Sequence, residues 1–349
     1  MIILVTALYA VFVLVAVTNL LWMRRPTGKS STCFEVMIPA RNEAHQIANA
    51  VAPLASQGVK VTVLNDASTD ETAEVATAAG AQVASIHEDL PVGWTGKTRA
   101  CHELSLQASS EWVVFLDADT QPGELFASTL SAELDTLPKS VVCVTGFPRL
   151  LAGRGLEPAY LGWVPWILLA TNPFGIVTKS QRGHNRFTNG QFAAWRREDL
   201  ASLRPYEVVR GEVLEDVKIG RYLAREGKTV LTLNVSEILS VRMYETLGEA
   251  FRGMSKNSAE IANSVLGSVL LATFLVFVGF GWALCGVWAL PLLAMLILSK
   301  WITDRIVRYP AWTAPLIPFT CVGAAITTVY SAFLKRRGKI SWKDRTYHA

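Results

Sequence analysis

Apolar residues run without a charge from Ile2 to Met23, long enough to cross the hydrocarbon core as a helix. The chain then turns polar. From about Cys33 to Leu233 short β-type runs alternate with helical segments, the pattern of an α/β domain on a largely parallel sheet. Apolar character returns from near Asn263 to Lys300, enough for two short helices turning near Gly279 to Gly286, and again from Ala311 to Leu334. The expected division is a transmembrane helix over 1–23, an α/β domain over 33–257, a C-terminal membrane region over 263–334 and a basic tail over 335–349.

Charge orients this pattern. Arg24, Arg25 and Lys29 follow the first apolar run, whereas a cleavable signal has its basic residues in front. The helix is therefore expected to stay, with Met1 outside and the α/β domain on the cytoplasmic face of the plasma membrane. The C-terminal region crosses two or three times. Three crossings place Lys335-Arg336-Arg337 outside, against the positive-inside rule, while two leave the segment with Pro315 and Pro318 re-entrant or tilted. The basic cluster, with Lys339, Lys343 and Arg345, favours a cytoplasmic C-terminus. The stretch 160–177, with Trp163, Trp166 and two prolines, is expected to lie at the interface within the α/β domain or to be a buried core helix. A crossing there would put Asp119 and Asp216 on opposite sides of the bilayer.

Hydrophobic residues make up 51% of the 349, and the net charge of +4 is dispersed. That charge excludes a nucleic-acid partner and suits an anionic membrane face or an anionic donor. The five cysteines include no close pair, so neither structural zinc nor a disulfide framework is expected.

Within the α/β region, Phe34–Ile38 reads as a strand ending at Pro39, after which Arg41-Asn42-Glu43 opens a helix with Ile47, Val51 and Leu54 on one face. Val59–Leu64 is a second strand, ending in Asn65-Asp66, with Ser68 or Thr69 capping the next helix. Ligands of open α/β sheets bind outside the carboxyl ends of the strands, so Arg41, Asn42, Glu43 and Asp66 should share one crevice. The segment Pro91–Lys97 lacks the glycine spacing of a P-loop. Lys97 nonetheless begins a helix, where its cation and the helix dipole would both face an anion such as a diphosphate. Trp112–Leu116 is a buried strand that delivers Asp117 and Asp119 to its end. Two carboxylates meeting there are tolerable with Mg²⁺ or Mn²⁺ between them and a diphosphate. Glu215-Asp216 taken alone is a helix's acidic face, and Asn189-Gly190-Gln191 is a strand bend or a contact to sugar hydroxyls.

Together Ile38-Pro39-Ala40-Arg41-Asn42-Glu43, Asn65–Asp70, Gly96-Lys97, Phe115–Asp119 and Glu215-Asp216, in this order and spacing, resemble the family 2 glycosyltransferases over roughly Cys33 to Asn257. The resemblance implies a GT-A fold and an inverting transfer. It implies that Pro39, Ala40, Arg41, Asn42 and Glu43 cradle the nucleotide, that Asp66 meets the uracil ring, and that Lys97 approaches the diphosphate. Asp117 would lie by the ribose and metal, Asp119 would bind the metal, and Asp216 would be the general base, with Glu215 its alternate. Asn189, Gly190 and Gln191 would flank the acceptor. Arg252 and Lys256 stand where processive members carry Gln-x-x-Arg-Trp; that signature is missing here, which favours addition of a single sugar.

The ending Ile340–Tyr347, with Gly93-Trp94-Thr95-Gly96-Lys97, resembles the membrane-bound subset tied to carotenoid and hopanoid pathways, although Asp344 replaces a usual glycine. The function expected is transfer of one hexose, preferably glucose from UDP-glucose, to a hydroxyl of a membrane isoprenoid lipid, a carotenoid by preference. The alternatives are polyprenyl phosphate, diacylglycerol or a polysaccharide as acceptor, or a non-catalytic scaffold that binds nucleotide sugar.

Overall fold

The computed structural model describes residues 1–180, 187–262, 264–336, 341–342 and 345–346. Arg182, Asn263, the side chain of Lys256 and the side chains beyond Arg336 lie outside the described residues. Packing divides the chain into two units, one of 23–149 with 176–241 and one of 1–22, 150–175 and 242–349.

The first unit is built on a seven-stranded sheet. Its strands are β1 (Phe34–Ala40), β2 (Val61–Asp66), β3 (Gln82–Ile86), β4 (Trp112–Leu116), β5 (Val141–Phe147), β6 (Phe192–Arg196) and β7 (Thr229–Asn234). They lie in the order β3-β2-β1-β4-β6-β5-β7. The pairs among β1 to β4 are parallel, β6 runs antiparallel between β4 and β5, and β5 is parallel to β7. Val36, Ile38, Val114 and Leu116 pack on one face with Phe126 and Phe192. Met37, Val113 and Phe115 pack on the other with Trp195 and Tyr206. Two covered faces explain why these strands read as continuous apolar runs instead of alternating ones. The mixed α/β class expected from the alternation of elements is the class observed.

Two local expectations shift. β1 continues through Pro39 to Ala40, because its pairing with β4 ends at Met37, so the missing proline N–H falls on an unpaired side. The helix expected from Arg41 starts at Ile47. Asn42, at φ 53°, turns the intervening residues out of the helical region. The next helix, Thr72–Ala78, likewise begins late, with Asp70 Oδ1 accepting the Thr72 N–H at 3.1 Å.

Among the described residues the second unit holds four stretches long and apolar enough to cross a membrane: Ile2–Trp22, Val265–Leu284, Gly286–Val307 and Ala311–Arg336. Val5, Tyr9, Phe12, Val278, Leu296 and Cys321 form its core, and the Tyr9 hydroxyl donates to Val278 O at 2.7 Å. The Trp163 region, expected as an interfacial part of a 33–257 domain, belongs to this unit instead. Its helix Trp163–Thr171 buries Trp166, Leu169 and Ala170, and the Trp166 indole donates to Ser299 Oγ at 3.0 Å. Asn19, 1% exposed, donates to the carbonyls of Leu169 and Asn172 and accepts the Gly175 N–H. An amide inside the first apolar helix thus closes the end of this one. Residues 242–257 also pack in this unit, so its chain boundaries are 22/23, 149/150, 175/176 and 241/242. Long-range packing sets those boundaries, and local hydropathy does not carry it. All five cysteines are free.

Candidate active site

The carboxyl ends of β1 and β2 carry two loops that are knitted together. Arg41 donates to the carbonyls of Asp66 and Ala67 at 2.7 and 2.9 Å. The Asn42 N–H donates to Ser68 Oγ, and Asn42 Oδ1 accepts the Thr69 N–H. The Glu43 N–H donates to Thr72 Oγ1 at 2.8 Å, and the Ala44 N–H to Asp70 Oδ2 at 3.1 Å. Ala67 sits at φ 49°, a left-handed conformation that costs a residue with a Cβ free energy and persists where its surroundings hold it. The structure brings Arg41, Asn42, Glu43 and Asp66 into one place as the strand ends required. In this state Arg41 and Asn42 hold the neighbouring loop, and Asp66 is 3% exposed.

Carboxylates gather at the end of β4. The turn after Leu116 is fixed by Thr120, whose N–H and hydroxyl both donate to Asp117 O. Lys97 reaches this turn from the helix Gly96–Ser105, whose start is set by a capping box between Thr95 and Thr98. Its Nζ lies 2.7 Å from Asp117 Oδ1 and 3.0 Å from Glu215 Oε1. One cation therefore bridges two carboxylates delivered by separate elements. Burial pulls the Lys97 ammonium down, but the charges of Asp117 and Glu215 outweigh it and hold the group well above the usual lysine range. Lys97 stays protonated.

Glu215 and Asp216 open the helix Glu215–Arg225, where the N-terminal dipole and free N–H groups favour anions. Asp216 Oδ1 accepts the Val217 N–H at 2.7 Å, and Oδ2 accepts the Gly190 N–H at 3.3 Å. Thr188 Oγ1 donates to the Asp216 carbonyl at 2.6 Å. Burial and then the charge of Glu215 push the Asp216 carboxyl up to about 6, against the opposing pull of Lys97 and the two N–H groups. A carboxylate poised there can take a proton near neutral pH. Gly190 has no room for a side chain: a Cβ would lie 2.8 Å from Lys97 Nζ and 3.2 Å from Glu215 Oε1.

A cavity of ≈ 20 Å³ is lined by Pro39, Lys97, Asp117, Asn189, Gly190, Glu215 and Asp216 together with Phe115, Trp195 and Tyr206. It joins the β1 loop, the β4 turn and the acidic helix. Asn189 does not turn its amide outward for sugar hydroxyls. Its Nδ2 donates to Gly146 O at 2.9 Å, and its Oδ1 accepts the Gln191 N–H at 3.1 Å. Arg252 is exposed on the helix Leu247–Ala262, in the other unit. Thr188 and Tyr206 were not among the expected residues; Thr188 stands one place before Asn189, whereas nothing in the sequence around Tyr206 marks it.

Asp117 and Asp119, which follow β4, are oxygen donors of the kind a hard divalent cation takes. Among the described residues no three His, Cys, Asp or Glu side chains assemble as a metal site. A pair such as Asp117 and Asp119 would be compatible with Mg²⁺ or Mn²⁺, ions that proteins commonly hold through one or two carboxylates.

Residues 35–204 match the model of the family described as Glycosyl transferase family 2. The chain is similar to a 4,4'-diaponeurosporenoate glycosyltransferase of Staphylococcus haemolyticus strain JCSC1435, at 24% identity over 73% of this chain and 69% of that protein. A protein of the same name from Staphylococcus aureus strain USA300 is 41% identical over 86 residues, 24% of this chain and 23% of that one. Among solved structures it is similar to glucosyl-3-phosphoglycerate synthase from Mycobacterium tuberculosis in complex with Mn²⁺, UDP-glucose and phosphoglyceric acid. That likeness has a TM-score of 0.46 and 21% identity, and it covers 67% of this chain and 85% of the other.

Proposed function

Because the chain carries a glycosyl transferase family 2 domain over residues 35–204, we propose that this glycosyltransferase moves a single hexose, glucose from UDP-glucose by preference, to a membrane isoprenoid lipid of the carotenoid class with inversion. The observation that carries the mechanism is Asp216, its carboxyl raised to about 6 and hydrogen-bonded to Gly190 beside the Lys97–Asp117–Glu215 cluster. An inverting transfer needs a base at the acceptor and positive charge at the leaving diphosphate, and these two groups stand at one crevice.

The loops Pro39–Glu43 and Asp66–Thr72 would hold the nucleoside. Asp117 and Asp119 would hold Mg²⁺ or Mn²⁺, which when bound neutralises charge on the departing diphosphate. Lys97, held beside Asp117 and Glu215, would face the diphosphate with its ammonium. Asp216 would take the proton of the attacking hydroxyl, and the helix N-terminus would keep its carboxylate ionised beforehand. Glu215, paired to Lys97, is the alternate acid–base group.

The carotenoid-class acceptor rests on the name shared by the Staphylococcus relatives. That name is of a carboxylate, which favours a second reading in which the acceptor is a carboxylic acid already ionised at neutral pH. Asp216 would then orient the acceptor more than deprotonate it. The four apolar stretches support a multi-pass membrane protein, and Arg24, Arg25 and Lys29 after the first of them favour the cytoplasmic side for the α/β unit, where nucleotide sugars are available. An outside N-terminus and a cytoplasmic C-terminus need an odd number of crossings. Ala311–Arg336, the most deeply packed of the four and carrying Pro315 and Pro318, is then the re-entrant one. Mass spectrometry of lipids from cells with and without the gene tests the function. A monohexosyl isoprenoid lost with the gene is expected, and loss of glycosylated diacylglycerol or of a polymer in its place would contradict it.

A further inference from the structure

We infer that Thr145, a buried residue of β5, is the positioning residue for Asp216, acting through the turn Asn189–Phe192. This rests on the reading of Asp216 as the base. Thr145 is 0% exposed and is not among the residues lining the cavity. Its hydroxyl works in both directions: it accepts the Asn189 N–H at 2.8 Å and donates to Phe192 O at 2.9 Å. A single oxygen therefore ties together the two ends of the turn, which is itself closed by the Phe192 N–H donating to Asn189 O at 3.1 Å. The next residue, Gly146, accepts from Asn189 Nδ2 through its carbonyl, and a Cβ there would meet Leu233 O at 2.9 Å. Thr145 and Gly146 form a platform on β5 that holds the turn by hydrogen bonds to both its backbone and its asparagine amide.

The turn in its place holds the base. The Gly190 N–H reaches Asp216 Oδ2, and Thr188 reaches the Asp216 carbonyl. A Gly190 Cβ would lie 2.8 Å from Lys97 Nζ, so the turn runs close beside the charged cluster. A shift of the turn would therefore move the base relative to the acceptor without touching the nucleotide loops at β1 and β2. Valine at 145 keeps the shape of threonine but removes the partner of the part-buried Asn189 N–H and of the buried Phe192 carbonyl, and polar groups out of water need partners.

The test compares Thr145→Val, Thr145→Ser and Asp216→Asn in native membranes, measuring kcat and donor KM for lipid glycosylation. Misplacement of a reacting group by a fraction of an ångström to an ångström predicts a kcat loss of about tenfold to a hundredfold in Thr145→Val, with donor KM within about twofold. Thr145→Ser, which keeps the hydroxyl, is expected to restore the rate. Should the valine variant fail to accumulate, Thr145→Ser against Thr145→Ala reads the hydroxyl alone, and the same kcat gap is expected between them. A wild-type rate in Thr145→Val, equal rates in the serine and alanine variants, or a serine variant as slow as valine would overturn the role. A silent Thr145→Val beside an inactive Asp216→Asn overturns the brace alone; a fully active Asp216→Asn overturns the base assignment and the brace with it.

Discussion

Lys97 in the α/β unit and Lys300 in the apolar unit are both clasped by carboxylates, and their surroundings differ. Lys97 meets Asp117 and Glu215 at the strand ends, with side chains 22%, 25% and 10% exposed. Lys300 meets Asp304 one turn along its own helix, at 0% and 1% exposure, with Thr313 Oγ1 accepting from the ammonium and donating to the carboxylate. The Tyr309 ring lies 5.3 Å from the same ammonium, and its hydroxyl donates to Pro158 O. The first pair opens on a cavity and can change partners. The second is sealed, and every polar atom around it serves packing. An ion pair thus says little about function until its access is known: a buried pair is costly to break, while an accessible one at a strand end is available to a ligand.

The contrast is tested most severely at the crevice. Asp216→Asn is expected to lower kcat by about a hundredfold or more while thermal unfolding stays near that of the wild type, as removal of a general base does; steady-state kinetics paired with a melting curve reads both. If Asp117 leaves Lys97 for a divalent cation, chelation with EDTA should abolish transfer and added Mg²⁺ or Mn²⁺ restore it, with Asp119→Asn needing more metal for half-maximal rate. Transfer unaffected by chelation would leave the crevice pair as locked as the other. Next comes stability: Lys300→Met should destabilise by about 3–5 kcal/mol, because it leaves the buried Asp304 carboxylate without its cation. Lys97→Met should cost less stability than Lys300→Met while raising donor KM. Unfolding of the two variants in detergent compares them directly, and equal losses would erase the distinction.

The smallest effect expected is in the pH profile. A base must be ionised to act, so with Asp216 at about 6 kcat/KM should rise with pH to a plateau above that value and fall about tenfold per unit below it. A carboxylic acid acceptor, ionised without help, would move that limb to lower pH.

Much of the crevice was legible because its signals are local. Pro39–Glu43, Asp66, Asp117 and Asp216 each stand just after an apolar strand or at a helix start, and the fold draws strand ends together whatever the loop details. What the local pattern missed is what depends on distant contacts. The amide of Asn189 was expected to face sugar and instead fastens to Gly146. Lys97 was expected at a diphosphate and in this state bridges two carboxylates contributed by β4 and the acidic helix. Thr145 belongs to no motif, being a single hydroxyl in an otherwise apolar buried strand. The Trp163 segment read as interfacial for its composition, yet Asn19 and Ser299, far away in sequence, place it among the apolar helices.

The most direct measurement incubates membranes containing the full chain with labelled UDP-glucose and an isoprenoid lipid extract, then resolves the lipid products by chromatography and mass. A single hexose on the isoprenoid, formed with wild-type protein and missing with Asp216→Asn, is the result expected. Label that stays in the nucleotide, or a ladder of products bearing successive sugars, would contradict single-sugar transfer to a membrane lipid at this site.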